Sequence, residues 1–339
     1  MNPRFFSPRR VLACLAVLAS LAACASEARA DGLGGFFGRL LHAPEYEARV
    51  IVDNDLNFSD KYYTAGNRLE LRAFGSAHSA QGGKPFPGKG GDGGPALVRE
   101  DVGLATGLEV YTPSDLAASA IVYGDRPYAG WLYVGLFAEK SRSDDDTLER
   151  IELDLGCLGA CSGADRIHET WHSFTHYIHP EGWKNQISDE VGLVFHYDRR
   201  FPKLASGRPT AGLDFDLAPV AGLEAGNIFD RLRLGLNARF GKIGPYFNVE
   251  NARNLYLLAR LGGVLVGYNA TLQGGIFNRE SPYTTGLKRF VFDGEVAGVL
   301  DRGPLSAYVG VNMTGSEMDF QPDRLVDHFF YRFQLAFRF

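Results

Sequence analysis

Beyond residue 30 this 339-residue sequence has no run approaching the ~20 apolar residues that a membrane-crossing helix requires, so helical spanning is excluded. Cysteine is scarce, four in all, which rules out a scaffold built on disulfides. Positive charge is not in excess either: the formal net charge is −5, so the electrostatic footprint of a nucleic-acid binder is missing. Cys14 and Cys24 fall in the first thirty residues. Cys157 and Cys161 are close enough for a small disulfide loop in an oxidising compartment, and are almost as readily two unpaired buried thiols.

The first thirty residues have a pattern of their own. Arg4, Arg9 and Arg10 precede an apolar run over 11–25, and Ala28-Arg29-Ala30 supplies the small-x-small pattern of a cleavage site. We expect an export signal over 1–30 and one mature domain over 31–339. A lipoprotein box at Leu21-Ala22-Ala23-Cys24 is the alternative; Arg9-Arg10 is more simply the signal's basic region than a twin-arginine address. Loss of 1–30 removes four arginines and one glutamate, leaving a formal charge of −8.

What is abundant is alternation. In the final stretch HFFYRFQLAFRF, Tyr331, Phe333, Leu335, Phe337 and Phe339 alternate with Arg332, Gln334, Ala336 and Arg338, so one strand face is apolar. Runs of this kind recur about twelve times, from EYEARVIVDN near residue 50 through LERIELDLG to LSAYVGVNM, separated by turn residues. An export signal with such runs predicts an antiparallel transmembrane β-barrel of about twelve strands in the outer membrane of a Gram-negative bacterium; a soluble sandwich is the competing reading. An even strand count puts both termini on the periplasmic side. Connections over 53–64, 112–127 and 157–186 then face outward and hold most of the unusual polar residues, while the Gly-rich stretch 76–96 falls on the periplasmic side as an insertion.

The first outward segment clusters Asp53, Asn54, Asp55, Asn57, Asp60 and Thr64, oxygen ligands suited to a hard cation such as calcium or, more plainly, a polar hairpin tip. The third contains a helical pattern over 163–178, with Ile167, Trp171 and Phe174 near one face and His168, His172 and His176 on another, stopped by Pro180-Glu181-Gly182. Within it HETWH, residues 168–172, matches H-E-x-x-H, which would make His168 and His172 zinc ligands, Glu169 a base and Glu190 a third ligand.

DND…DKYYTAG, YTPSDL, DRPYAGWLY, a Gly-rich turn before a His-bearing helix, PEGWKNQISDE and YNATLQGG follow one another in an order that resembles the family of outer-membrane lipid A 3′-O-deacylases. The resemblance implies a twelve-stranded barrel and calcium-dependent removal of the 3′-linked acyl chains of lipid A in the outer leaflet. It puts the family's Asn-Asp pair at Asn54 and Asp55, its threonine at Thr64 and its helix histidine at His172. Position 168 usually holds Gln there, which makes HETWH an accident of replacement. Two departures stand out: no lysine occurs between Tyr111 and Ala118, and Ala160 replaces a proline.

On this basis His172 is the candidate base, Asp55 the calcium ligand, and Asn54 and Thr64 position water or donate to the oxyanion. Arg126 is a weaker candidate for a lipid phosphate; the simpler reading of DRPYAG is an Asp125–Arg126 pair inside the barrel with Tyr128 at the membrane interface. His176 and His179 read as solvated or interfacial. The expected partners are lipid A and outer-membrane lipids, with no nucleic acid and a monomeric state. Two other function classes compete: a non-enzymatic barrel or porin, and a zinc peptidase.

Overall fold

Twelve long strands close on themselves. In the computed structural model, which describes residues 32–55, 61–79, 97–244 and 253–339, they are β1 (Tyr46–Asn54), β2 (Tyr62–Ala73), β3 (Leu97–Thr112), β4 (Ala129–Arg142), β5 (Leu148–Leu158), β6 (Glu190–Arg200), β7 (Leu213–Gly226), β8 (Phe229–Lys242), β9 (Arg253–Asn269), β10 (Phe290–Arg302), β11 (Leu305–Thr314) and β12 (His328–Arg338). Each pairs antiparallel with its sequence neighbours, and β12 pairs with β1 from Glu47–Arg338 to Asn54–Tyr331, so the wall has no free edge. Two short pieces, His78–Ser79 and Ala205–Thr210, pair with β3 and β7. The twelve alternating runs of the sequence are these twelve strands. Only YNATLQ departs from an alternating strand: the Asn269 side chain accepts from Thr271 N–H and turns the chain into a one-turn helix, Ala270–Gln273.

A separate unit through His42 contains α1 (Gly32–Leu41) and precedes the wall; the expected export signal lies outside the described residues.

Alternation sorts the side chains. On β5, Leu153 and Leu155 face out while Glu152 and Asp154 are buried in the lumen. Buried charges are costly unless paired, and here they are paired several times over. Arg68 and Arg150 both bind Glu152 and Glu70, and Arg200 and Arg239 share Asp146 and Asp216. Arg150 lines both of two interior cavities of about 290 and 270 Å³. Towards the end opposite the termini, Tyr111, Trp131, Ile187 and Ile228 form an apolar plug.

The connections β1–β2, β3–β4 and β5–β6 lie at that opposite end, with those between β9 and β10 and between β11 and β12. Hydrogen bonds across the mouth tie the β3–β4, β9–β10 and β11–β12 connections together: Arg126 reaches Glu317 and Thr271, and Gly124 N–H donates to the Tyr283 hydroxyl.

Candidate functional site

Strand parity locates one of the candidates, Asn54, on the lipid-facing side of the wall. On β2 and β3, Leu69, Leu71 and Leu104 are exposed, so Ala65 and Asn67 and also Leu108, Val110 and Thr112 share their face. Leu108, Val110 and Thr112 are nonetheless buried; Leu108 and Val110 pack against Ala164 and Trp183 of the β5–β6 connection and Leu116 and Tyr128 of the β3–β4 connection.

The sequence GCLGACSG makes the packing of the β5–β6 connection possible. Gly159 at φ 95° and Gly163 at φ 68° adopt conformations that a side chain would strain, and a 3₁₀ turn (Ala160–Ser162) lies between them. Cys157 and Cys161 are joined, which decides the open question of their state in favour of the disulfide. The helix α2 (Ala164–Thr175) follows and ends where His176, at φ 56°, donates its N–H to the His172 carbonyl. Its foot rests on bare backbone: a Cβ on Gly130 of β4 would lie 2.3 Å from both Ala164 Cβ and Ser162 Oγ. Ala164, Trp183, Tyr128, Leu116, Leu108 and Val110 pack together, with Ala65 at their margin.

At the rim beneath the helix, the β2–β3 pairing shifts register between Tyr63 and Ala65, and the extra residue is Thr64. Its hydroxyl meets that of Thr112 at 2.7 Å, and its carbonyl accepts the Asp55 N–H at 3.1 Å. Asn54, in register with Ala65, shares the lipid-facing parity of exposed Val50. Asp55 is buried, with the Lys61 N–H 3.4 Å from its carboxylate. Asn54, Asp55 and Thr64 are therefore brought together.

Asp53 is not part of this group. Alternation sends it into the lumen, where Arg332 grips both its oxygens at 2.7 and 2.6 Å and the Tyr63 hydroxyl donates at 2.9 Å. The six-residue cluster expected from the sequence loses that member; Asn57 and Asp60 lie outside the described residues.

The two helix histidines are buried and differ in tautomer. Trp183 Nε1–H donates to His168 Nδ1 at 3.2 Å, so the His168 proton is on Nε2. Burial, helped by His172 and His179, pushes the His168 pKa down to about 3 and keeps the ring neutral. His172 Nδ1 lies 2.5 Å from the Ile178 carbonyl. A carbonyl only accepts, so Nδ1 bears the proton and Nε2 of the neutral ring keeps its lone pair, the form a general base needs. The rings meet edge-on at 4.2 Å.

The zinc reading of HETWH finds no partner set. Glu190 accepts the backbone N–H groups of Ile276, Phe277 and Asn278 at 3.0–3.1 Å and Asn227 Nδ2 at 2.8 Å, which makes it the clamp of the β9–β10 loop. Among the described residues no three His, Cys, Asp or Glu side chains are grouped to hold a metal.

DRPYAG also departs from expectation. Asp125 does not pair with the Arg126 guanidinium; it accepts from the Ser114 N–H and hydroxyl at 2.9 and 2.5 Å. Arg126, buried, donates to Glu317 at 2.8 Å and Thr271 at 2.6 Å and lies over the Tyr111 ring. It braces the barrel mouth and is not brought to the face that holds Asn54 and Thr112. Tyr128 is no interface aromatic but packs on Trp183 at 4.8 Å. His176 and His179 are exposed, as expected. Sequence reasoning did not single out Thr112, Trp183 or Gly130, although each lies inside a motif that it quoted.

A model of the family described as outer membrane protein LpxR matches residues 11–339. No curated protein matches the sequence. Among solved structures, LpxR from Salmonella typhimurium is similar with a TM-score of 0.66 and 18% identity, covering 86% of this chain and 99% of that one. The β domain of the Bordetella autotransporter BrkA is similar with a TM-score of 0.42 and 12% identity, covering 88% of this chain and 100% of its own.

Proposed function

The chain belongs to the outer membrane protein LpxR family, and from that premise we propose that it is a calcium-dependent esterase that removes the 3′-linked acyl (acyloxyacyl) chains of lipid A in the outer leaflet. The observation that carries this reading is a polar group on the wrong side of the wall. Asn54 and Thr112 share the lipid-facing parity, where polar side chains are unfavourable without a partner, Thr64 bonds its hydroxyl to that of Thr112, and Leu108 and Val110 of the same face pack under Ala164 at the foot of the helix bearing His172. A site at the rim of that face suits a substrate whose ester bonds lie between head group and acyl chains.

Ester hydrolysis needs a deprotonated water and donors for the oxyanion. His172 accepts the water proton at Nε2, and the Ile178 carbonyl holding Nδ1–H stabilises the imidazolium that forms. Asn54 and the Thr64–Thr112 hydroxyl pair orient the water and donate to the oxyanion. Asp55 would be the ligand that holds calcium at the rim, and bound calcium would supply Lewis-acid polarisation of the ester carbonyl. A phosphate role for Arg126 requires displacing Glu317 or Thr271 and has less support. The porin alternative is weakened by a lumen crossed by ion pairs, and the monomeric state is favoured by the edgeless wall. The test is His172→Ala in purified, folded protein with lipid A as substrate. Release of the 3′-acyloxyacyl group should fall roughly 10²–10⁴-fold. Release at the wild-type rate would remove His172 from the mechanism.

A further inference from the structure

We propose that one flank of α2, formed by Ile167, Trp171 and Phe174 and continued by Ile178, is a membrane-docking surface that lies among the acyl chains of the outer leaflet. At ~100° per residue the helix has three flanks. His168 and His172 face the wall and are buried. Arg166, Glu169, Thr170 and Ser173 occupy the far side. Ile167, Trp171 and Phe174 lie together beside the histidine flank, and they are 53%, 56% and 76% exposed. This reverses the usual amphipathic helix, in which the apolar stripe packs and the polar stripe is solvated.

The occupant follows from continuity. The helix foot sits on Gly130, and below it on the same face the exposed Leu132 and Val134 lead into the lipid-facing wall. Leu132 and the exposed Val191 are both in register with Cys157, so the apolar strip of β4–β6 reaches the level of the disulfide from which the helix starts. A surface continuous with the lipid-facing wall of an outer-membrane barrel meets the same acyl chains, while the polar flank meets head groups and water. The docking segment also touches the candidate base, because the Ile178 carbonyl is the group that holds His172 Nδ1–H. The inference rests on the outer-membrane location and not on the esterase reading, and its test measures no activity.

The chain provides its own probe. Of its three tryptophans, Trp131 and Trp183 are 1% and 4% exposed, leaving Trp171 as the accessible one. The full-length mature protein is refolded into dioleoylphosphatidylcholine vesicles or into vesicles of the same lipid brominated along its chains, with heat-modifiable mobility confirming the fold. Trp171 emission should be quenched by the brominated lipid and not by aqueous iodide, and the lipid quenching should disappear in Trp171→Phe. In that background Phe174→Trp should restore it and Thr170→Trp, on the polar flank, should not. Quenching by iodide without quenching by brominated lipid would overturn the proposal in favour of a water-facing helix. Protection from both would overturn it in favour of a protein partner or a second copy covering the flank.

Discussion

Acidification from about pH 7.5 to about pH 5 should loosen α2 while the barrel stays intact, and His168 should be the cause. In the closed structure the ring is buried against Trp183 and His172, and its pKa is pushed down to about 3. When the helix lifts, His168 meets water and returns to its ordinary value near ~6.5. Between those two values the open form binds a proton that the closed form does not. The stability contributed by neutral His168 is therefore fully present above ~6.5 and is lost as pH falls towards the folded value. At pH 5, about 1.5 units below the ordinary value, the loss is about 2 kcal/mol, or roughly a 30-fold increase in the opening constant. Hydrogen-exchange protection factors for residues 164–175 at the two pH values measure it. In His168→Gln the amide oxygen can accept from Trp183 without titrating, so the pH dependence should vanish while the helix stays docked. Equal protection of the wild type at both pH values, or the same acid loss in His168→Gln, would refute the reasoning.

Three further outcomes are expected. EGTA should abolish deacylation and calcium restore it, Asp55→Ala should imitate the chelator, and a zinc-selective chelator should have little effect; stoichiometric zinc in the purified protein would count against the assignment. Gly130→Val forces side-chain atoms into the space where a Cβ alone would come within 2.3 Å of Ala164 and Ser162, so activity should drop while heat-modifiable mobility is retained; undiminished activity would show that the helix seat is unimportant. Glu190→Gln replaces a charged acceptor of three backbone N–H groups and should weaken the loop by about 1–3 kcal/mol, read as faster proteolysis near residues 275–280; unchanged cleavage would argue against the clamp.

The sequence by itself determined the wall. Lipid on one side and a paired polar lumen on the other impose a period of two on every strand, and that period is local, so the twelve strands, their alternation and the short helix in the β5–β6 connection could be read from order alone. That Asn54, Asp55 and Thr64 lie together was legible for a similar reason, because they flank one hairpin. Only the tertiary structure decided what meets across the chain. Thr112, 48 residues from Thr64, becomes its hydroxyl partner because β2 and β3 are neighbours with a register shift at that point. Arg126 leaves Asp125 for Glu317, 191 residues away, because closure of the barrel brings the mouth loops together. The orientation of α2 could not be foreseen either. A helical wheel shows an apolar and a histidine flank but not which one faces protein, and the bare backbone of Gly130 with the indole of Trp183 turned the histidines inward, leaving Trp171 and Phe174 exposed.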